Sequence, residues 1–327
     1  MNQYHPSSSS LDFGRNVEQS ISLEIKLDLL LLSKILALVS FSKRFFIQVV
    51  LGIITIGAFG CDPEVKDTPN GDDSSNEERE YSSINIEVGV QQAYIKGTTS
   101  APFGFYLYVP LDYDATTDDL YPLLIHLHGG GARGNSAQNP NDLNQILFDG
   151  PPKLIAGGKW SPSHPMIVAS PQSPTIWNVD HLHEFITYLI EELKVNSRRI
   201  YMTGLSMGGK GCFDYVSTKG VDAYVAAIVP IAGWGNTSDR EQFKSVATWA
   251  FHGDKDQVIS FSSSVNMIEA INNAGPQVPA KLTVYSGVGH DSWTRTYDGS
   301  GMGEESEDYD PFEENIFDWM YLFEKKQ

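Results

Sequence analysis

Glycines crowded around a single serine constrain this chain more than any other feature. Residues 198–211 read R-R-I-Y-M-T-G-L-S-M-G-G-K-G. Ile200, Tyr201, Met202 and Thr203 make a short apolar and β-branched run of the kind that fills a buried strand. Gly204, Gly208, Gly209 and Gly211 crowd the positions just after this run, with Ser206 between them. The spacing Gly204-Leu205-Ser206-Met207-Gly208 fits G-x-S-x-G, and Gly209 to Ser217 can continue as a helix. When a strand turns at once into a helix, the flanking backbones meet. A Cβ two residues either side of the tip would collide with them, so glycine stands there. The serine at the tip is then held strained and presented outward.

The rest of the chain repeats this alternation. Phe103 to Val109, Pro122 to Leu127, Pro165 to Ser170, Ala223 to Ile231, Val246 to Phe251 and Ala280 to Tyr285 read as strands. Ile84 to Val90 alternates apolar and polar residues, and with Phe103 to Val109 it predicts an antiparallel edge. Asp180 to Leu193, Phe261 to Ala274 and Pro311 to Phe323 have helical spacing. Short apolar strands alternating with helices predict an α/β fold. The expected sheet is doubly wound and mostly parallel, with helices on both faces.

Ligand chemistry in such sheets gathers where the strands end. His128 and three glycines follow the Pro122 strand, and Ser206 follows the Ile200 strand. His252-Gly253-Asp254-Lys255-Asp256 follows the Val246 strand, and Gly287 to His290 follows the Ala280 strand. A serine, an acid and a histidine thus share one edge, in that chain order. A serine hydroxyl needs a base to attack, and His290 is placed to be that base. The acid is Asp256 or Asp254, and aspartate at Asp254 also suits a simple turn. The acid's task is to orient the imidazole and stabilise its cation.

The blocks L-H-G-G-G-A-R-G, R-I-Y-M-T-G-L-S-M-G-G, F-H-G-D-K-D-Q-V and G-V-G-H-D-S-W resemble the α/β-hydrolase superfamily. Within it they look like the secreted esterase and "predicted peptidase" group, near polyhydroxybutyrate-depolymerase-like and feruloyl-esterase-like enzymes. The resemblance runs from about residue 84 to the end. It implies a triad of Ser206, Asp256 and His290, the acid assigned through the pattern H-G-x-x-D. An oxyanion hole would use the N–H groups of Met207 and of the His128–Gly131 loop, at Gly130. The His128 side chain itself is expected to be structural. The implied reaction is ester hydrolysis through an acyl-enzyme, on acyl groups carried by carbohydrate or aryl alcohols, with no cofactor. A serine peptidase uses the same motifs. A binding protein on a decayed scaffold would not need all three triad residues intact.

Trp177, Trp234 and Trp293 follow strand ends or site blocks and suggest an aromatic-walled cleft for substrate. His181 and His183 form H-x-H, but residues two apart on a helix do not share a face, so no metal site is expected. Cys212 reads as a small core residue. Between Gly301 and Asn315 lie seven acidic residues and no basic one. They form either a solvated loop or, on a sharper reading, a negative rim on the cleft.

The N-terminus points outside the cytoplasm. Lys43 and Arg44 precede an apolar run, Phe45 to Phe59, that ends at Gly60-Cys61. This resembles a bacterial lipoprotein signal peptide, with lipid attached at Cys61. Phe59 is bulkier than that pattern prefers, and Leu29 to Val39 is a second apolar stretch, so either translation starts downstream of Met1 or the two stretches act together as an uncleaved anchor. The expected organisation is a targeting segment at 1–60, an acidic disordered tether at 61–82 and a catalytic domain at 83–327. The protein would be exported and anchored in the cell envelope. A formal net charge of −18 argues against nucleic acid as a partner.

Overall fold

A computed structural model describes residues 84–326. The targeting segment, the tether and Cys61 lie outside the described residues. Eight strands form one sheet: β1 (Gln91–Tyr94), β2 (Gly104–Tyr108), β3 (Tyr121–Leu127), β4 (Ile167–Gln172), β5 (Val195–Leu205), β6 (Ala227–Ile231), β7 (Ala247–Gly253) and β8 (Lys281–Tyr285). Their spatial order is β1-β2-β4-β3-β5-β6-β7-β8. β1, β2 and β4 pair antiparallel, and every pairing from β4 through β3 to β8 is parallel.

The central strands are apolar on both sides because helices cover both faces. Along β3, Leu123, Ile125 and Leu127 face one layer and Leu124 faces the other. The first layer is built by α2 (Val179–Glu192), α3 (Met207–Lys219) and α4 (Ser262–Asn273), through residues such as Phe185, Phe213 and Met267. The second holds Tyr297 of α5 (Trp293–Tyr297), Phe317 and Trp319 of α6 (Ile316–Tyr321), and Leu154 of α1 (Gly150–Ala156). Cys212 is fully buried in the first layer.

Several boundaries differ from the sequence reading, and two have a clear local cause. Ile84 to Val90 is not a strand; the edge strand begins at Gln91, opposite Tyr108. The Gly89 N–H bonds to the Val109 carbonyl in a turn with φ +72°, which ends the approach before pairing starts. The C-terminal helix begins at Ile316 rather than Pro311, because Asn315 caps it by accepting from the Phe317 N–H.

The acidic stretch before that helix is tied down instead of free. Ser306 N–H donates to the Val284 carbonyl, Asp310 exchanges bonds with Leu282, and Glu305 bridges to Tyr285. The segment covers the open edge of β8, a position where unpaired backbone groups invite association. Of the two readings of this segment the solvated loop is favoured, because Glu304, Glu305, Glu307 and Asp308 are not among the residues lining the cavity that holds Ser206.

At the centre, β5 turns into α3 at Ser206, whose φ is +52° and ψ −114°. A Cβ on Gly208 would stand 1.9 Å from the Leu127 carbonyl oxygen, and one on Gly204 would stand 2.5 Å from the Gly208 backbone. Both contacts are with backbone, which cannot swing aside. Gly208→Ala is therefore expected to lower unfolding stability by about 3 kcal/mol, the upper end of ordinary overpacking. Gly131→Ala, where a Cβ would meet nothing within 4 Å, should change it by less than about 0.5 kcal/mol. Denaturant titration of both variants checks this, and equal stability would contradict the close approach.

Candidate active site

The strand ends bring Ser206, His290 and Asp256 into one line. Ser206 Oγ lies 2.9 Å from His290 Nε2, and His290 Nδ1 lies 2.6 Å from Asp256 Oδ2. The Nδ1–H donates to the carboxylate, which leaves Nε2 as the acceptor facing the serine. The Asp256 side chain is fully buried. Burial alone would raise its pKa, but bonds from His290 and from the Ile259 and Val258 N–H groups outweigh that and hold it below the usual carboxylate range. Asp256 Oδ1 accepts those two backbone bonds at 2.8 and 2.9 Å.

Asp254 does a different job. Its Oδ1 accepts from the Gly287 N–H at 2.7 Å and closes the turn after β8. Of the two aspartates, only Asp256 reaches the imidazole.

Gly130 opens a 3-10 turn and Met207 opens α3, positions whose N–H groups have no acceptor within the helix. The loop around Gly130 is fixed from behind. His128 is buried, its Nδ1–H donating to the Gly129 carbonyl at 2.7 Å and its Nε2 accepting from the Ser173 N–H at 3.0 Å. Burial pushes its pKa down to about 4, so the ring stays neutral in that one tautomer. A Cβ on Gly129 would stand 2.7 Å from Leu205, whereas Gly130 and Gly131 face open space.

The cavity above these groups measures about 380 Å³ and is lined by Ser206, His290, the Gly129–Ala132 loop, Phe148, Asp149 and Trp293. Trp293 sets its ring edge against the His290 imidazole at 5.1 Å and donates its Nε1–H to Asp149 at 3.2 Å. The cavity is also lined by His126, which is fully buried and has neither ring nitrogen bonded among the described residues. Burial pushes its pKa to about 3, so the ring behind this part of the wall is uncharged.

The three-tryptophan cleft of the sequence reading is corrected. Trp177 is 5 % exposed, packs on Phe103 and Gly211, and donates to the His128 carbonyl at 3.3 Å. It belongs to the core behind the glycine loop. Trp234 is half-buried near Lys210, whose ammonium sits 6.0 Å from its ring, and it does not line the cavity. His183 stacks on Tyr224 and its Nδ1 meets the Tyr215 hydroxyl at 3.1 Å, while His181 packs edge-on against Phe103.

Sequence reasoning missed His252. It ends β7 fully buried, with Nε2 at 3.1 Å from both Asp256 Oδ2 and the Ile259 carbonyl, and Nδ1 at 2.8 Å from Ser264 Oγ. The signal was present in the spacing His252 to Asp256.

Residues 172–321 match the profile of the dienelactone hydrolase family. That stretch contains Ser206, Asp256 and His290. The fold is similar to that of a thermostable esterase at 23% identity and a TM-score of 0.52, covering 72% of this chain and 63% of that one. A serine-to-alanine mutant of the feruloyl esterase module from Clostridium thermocellum, complexed with sinapinate, is 18% identical over 81% of this chain and 94% of its own, with a TM-score of 0.42. A ferulic acid esterase of Anaeromyces mucronatus bound to ferulic acid is 15% identical over 64% and 87%, at 0.45. No curated protein matches the chain significantly. The fold is that of the α/β-hydrolases.

Trp177→Ala is expected to cost about 3–5 kcal/mol in equilibrium unfolding, as for a large aromatic removed from a core. Trp234→Ala, half-buried outside the cavity, should cost less than about 1 kcal/mol. Comparable losses would contradict the placement of Trp177.

Proposed function

We propose that this protein hydrolyses carboxylic esters through an acyl-enzyme formed on Ser206. The unbroken line from Ser206 Oγ through the His290 imidazole to Asp256 Oδ2, with links of 2.9 and 2.6 Å, carries the reading. His290 Nε2 takes the proton as Ser206 Oγ attacks the carbonyl carbon, and returns it to the leaving alcohol. The Met207 and Gly130 N–H groups receive the developing oxyanion. Water then enters on the same base, attacks the acyl carbon and restores Ser206.

The substrate class is an acyl group on a carbohydrate or aryl alcohol. A cavity of about 380 Å³ is of the size that holds a small acyl or aryl group. Trp293 and Phe148 give it aromatic walls, and Asp149 gives it a polar contact. The match to a family named for dienelactone hydrolysis agrees with ester chemistry.

Ser206→Ala and His290→Ala should each lower kcat by about 10³-fold or more, because triad members act as one unit. Asp256→Asn should also fall heavily, and Asp254→Asn should remain near the parent. The substrates for the comparison are p-nitrophenyl, feruloyl and acetyl-sugar esters beside peptide anilides. Near-parental turnover in Ser206→Ala would reject the mechanism, and faster anilide than ester cleavage would reject the substrate class.

The proposal extends to export and anchoring, supported by Lys43-Arg44, the apolar run and Gly60-Cys61. A single acyl chain binds a membrane only marginally, whereas several make a stable anchor. Cells fed labelled fatty acid should label the protein, and Cys61→Ser should abolish that label. An unmodified Cys61 in the mature protein, read by mass spectrometry, would end the idea.

A further inference from the structure

Asp256 Oδ2 is shared. It accepts the His290 Nδ1–H at 2.6 Å and also lies 3.1 Å from His252 Nε2. The other neighbour of that nitrogen is the Ile259 carbonyl at 3.1 Å. Both neighbours are acceptors, so Nε2 carries the hydrogen and divides it between them. Burial, the largest influence, lowers the pKa of His252, which keeps its ring neutral. The lone pair then stands on Nδ1 and accepts from the Ser264 hydroxyl at 2.8 Å.

Ser264 lies in the first turn of α4, and its Oγ also sits 3.2 Å from the Gly233 carbonyl. Gly233 in turn packs against Gly209 of α3, where a Cβ would meet the Gly209 backbone at 2.8 Å. The contacts therefore run from Ser206 through His290, Asp256, His252 and Ser264 to Gly233, and return to the helix that begins beside Ser206. The groups facing His252 are Asp256 and the Ile259 carbonyl from its own loop, His290 from beyond β8 and the Ser264 hydroxyl from α4.

We propose that His252 is a positioning residue for the triad: it holds the Asp256 carboxylate in register with His290 and draws charge from the shared oxygen. This rests on the reading of Ser206, His290 and Asp256 as a triad. Asp256 has its other oxygen fixed by backbone, so His252 is the side chain that sets where Oδ2 points. A donor on Oδ2 also weakens that oxygen as a counter-ion for the imidazolium formed during attack, which limits how tightly His290 keeps its proton. The imidazole can then return the proton to the leaving alcohol.

The test compares the parent with His252→Leu, His252→Gln and Ser264→Ala, using p-nitrophenyl acetate across pH and a fluorophosphonate probe of Ser206. Glutamine keeps an N–H for Oδ2 and a carbonyl for Ser264, whereas leucine keeps neither. His252→Leu should lose about 10²-fold in kcat, the scale of a misplaced catalytic group, with KM unchanged. Its acidic limb of kcat/KM should move to higher pH, because Oδ2 keeps more charge beside His290. His252→Gln should recover most of kcat and the parental limb. A folded His252→Leu with parental kcat and limb, reduced only in unfolding temperature, would overturn the proposal and leave the triad reading standing. If His252→Leu does not fold, Ser264→Ala carries the test: lower kcat at constant KM supports the proposal, and parental kcat in Ser264→Ala overturns it. A parent that the probe does not label at Ser206 would overturn the triad reading and this proposal together.

Discussion

The distance between α3 and the end of β3 sets everything else at this site. A Cβ on Gly208 would stand 1.9 Å from the Leu127 carbonyl oxygen, so only glycine lets the helix start where it does. That start fixes Ser206 at a positive φ, with its N–H bonded to the Ile231 carbonyl at 2.8 Å. Strain of order 1–3 kcal/mol at such a residue persists only where the surroundings over-determine it. Here they do: β3, β5 and β6 converge on the turn, and Gly209 meets Gly233 backbone to backbone. The serine is thereby aimed at the histidine that follows β8.

Charge is placed with similar economy. The chain is strongly acidic, yet the carboxylate of Asp256 is fully buried and surrounded by donors. An unpaired buried carboxylate would shift its pKa upward and lose its charge. Two backbone N–H groups and two imidazoles keep it ionised. The histidines differ by environment alone. His290 is the exposed one of the pair on Asp256, at 21 % of its side chain, while His252 is closed off completely. His128 is buried and spent on the glycine loop. Among the described histidines, His290 is the one that both bonds the acid and lines the cavity. Seven further acidic residues lie at the edge of the sheet, in the segment after Gly301 that covers β8.

The sheet and the line Ser206, His290, Asp256 were legible because each depends on local pattern. Strands and helices alternate, and the chemistry follows strand ends in chain order. The family resemblance implies Asp256 rather than Asp254, and the geometry supplies the cause: one aspartate closes a turn and the other points inward. What sequence could not decide was direction. Trp177, Trp234 and Trp293 look alike in composition, but only Trp293 faces the cavity, because it opens α5 directly after the histidine loop. Ile84 to Val90 alternates as a strand does, yet the place beside β2 is taken by Gln91–Tyr94. The acidic run carried no sign that Glu305 and Asp310 would bond to β8, since that contact depends on tertiary position alone. His252 stood in plain view within its block, and its role depends on three partners from other parts of the loop and helix.

The most direct test of an acyl-enzyme on Ser206 is the first turnover. Enzyme mixed rapidly with p-nitrophenyl acetate should release a burst of p-nitrophenol equal to the protein present, before a slower steady rate set by deacylation. Protein quenched during that phase should carry one acetyl group, and fragmentation should place it on Ser206. Release with no burst and no acetylated protein, or acetyl found on another residue while Ser206 stays free, would contradict an acyl-enzyme built on this serine.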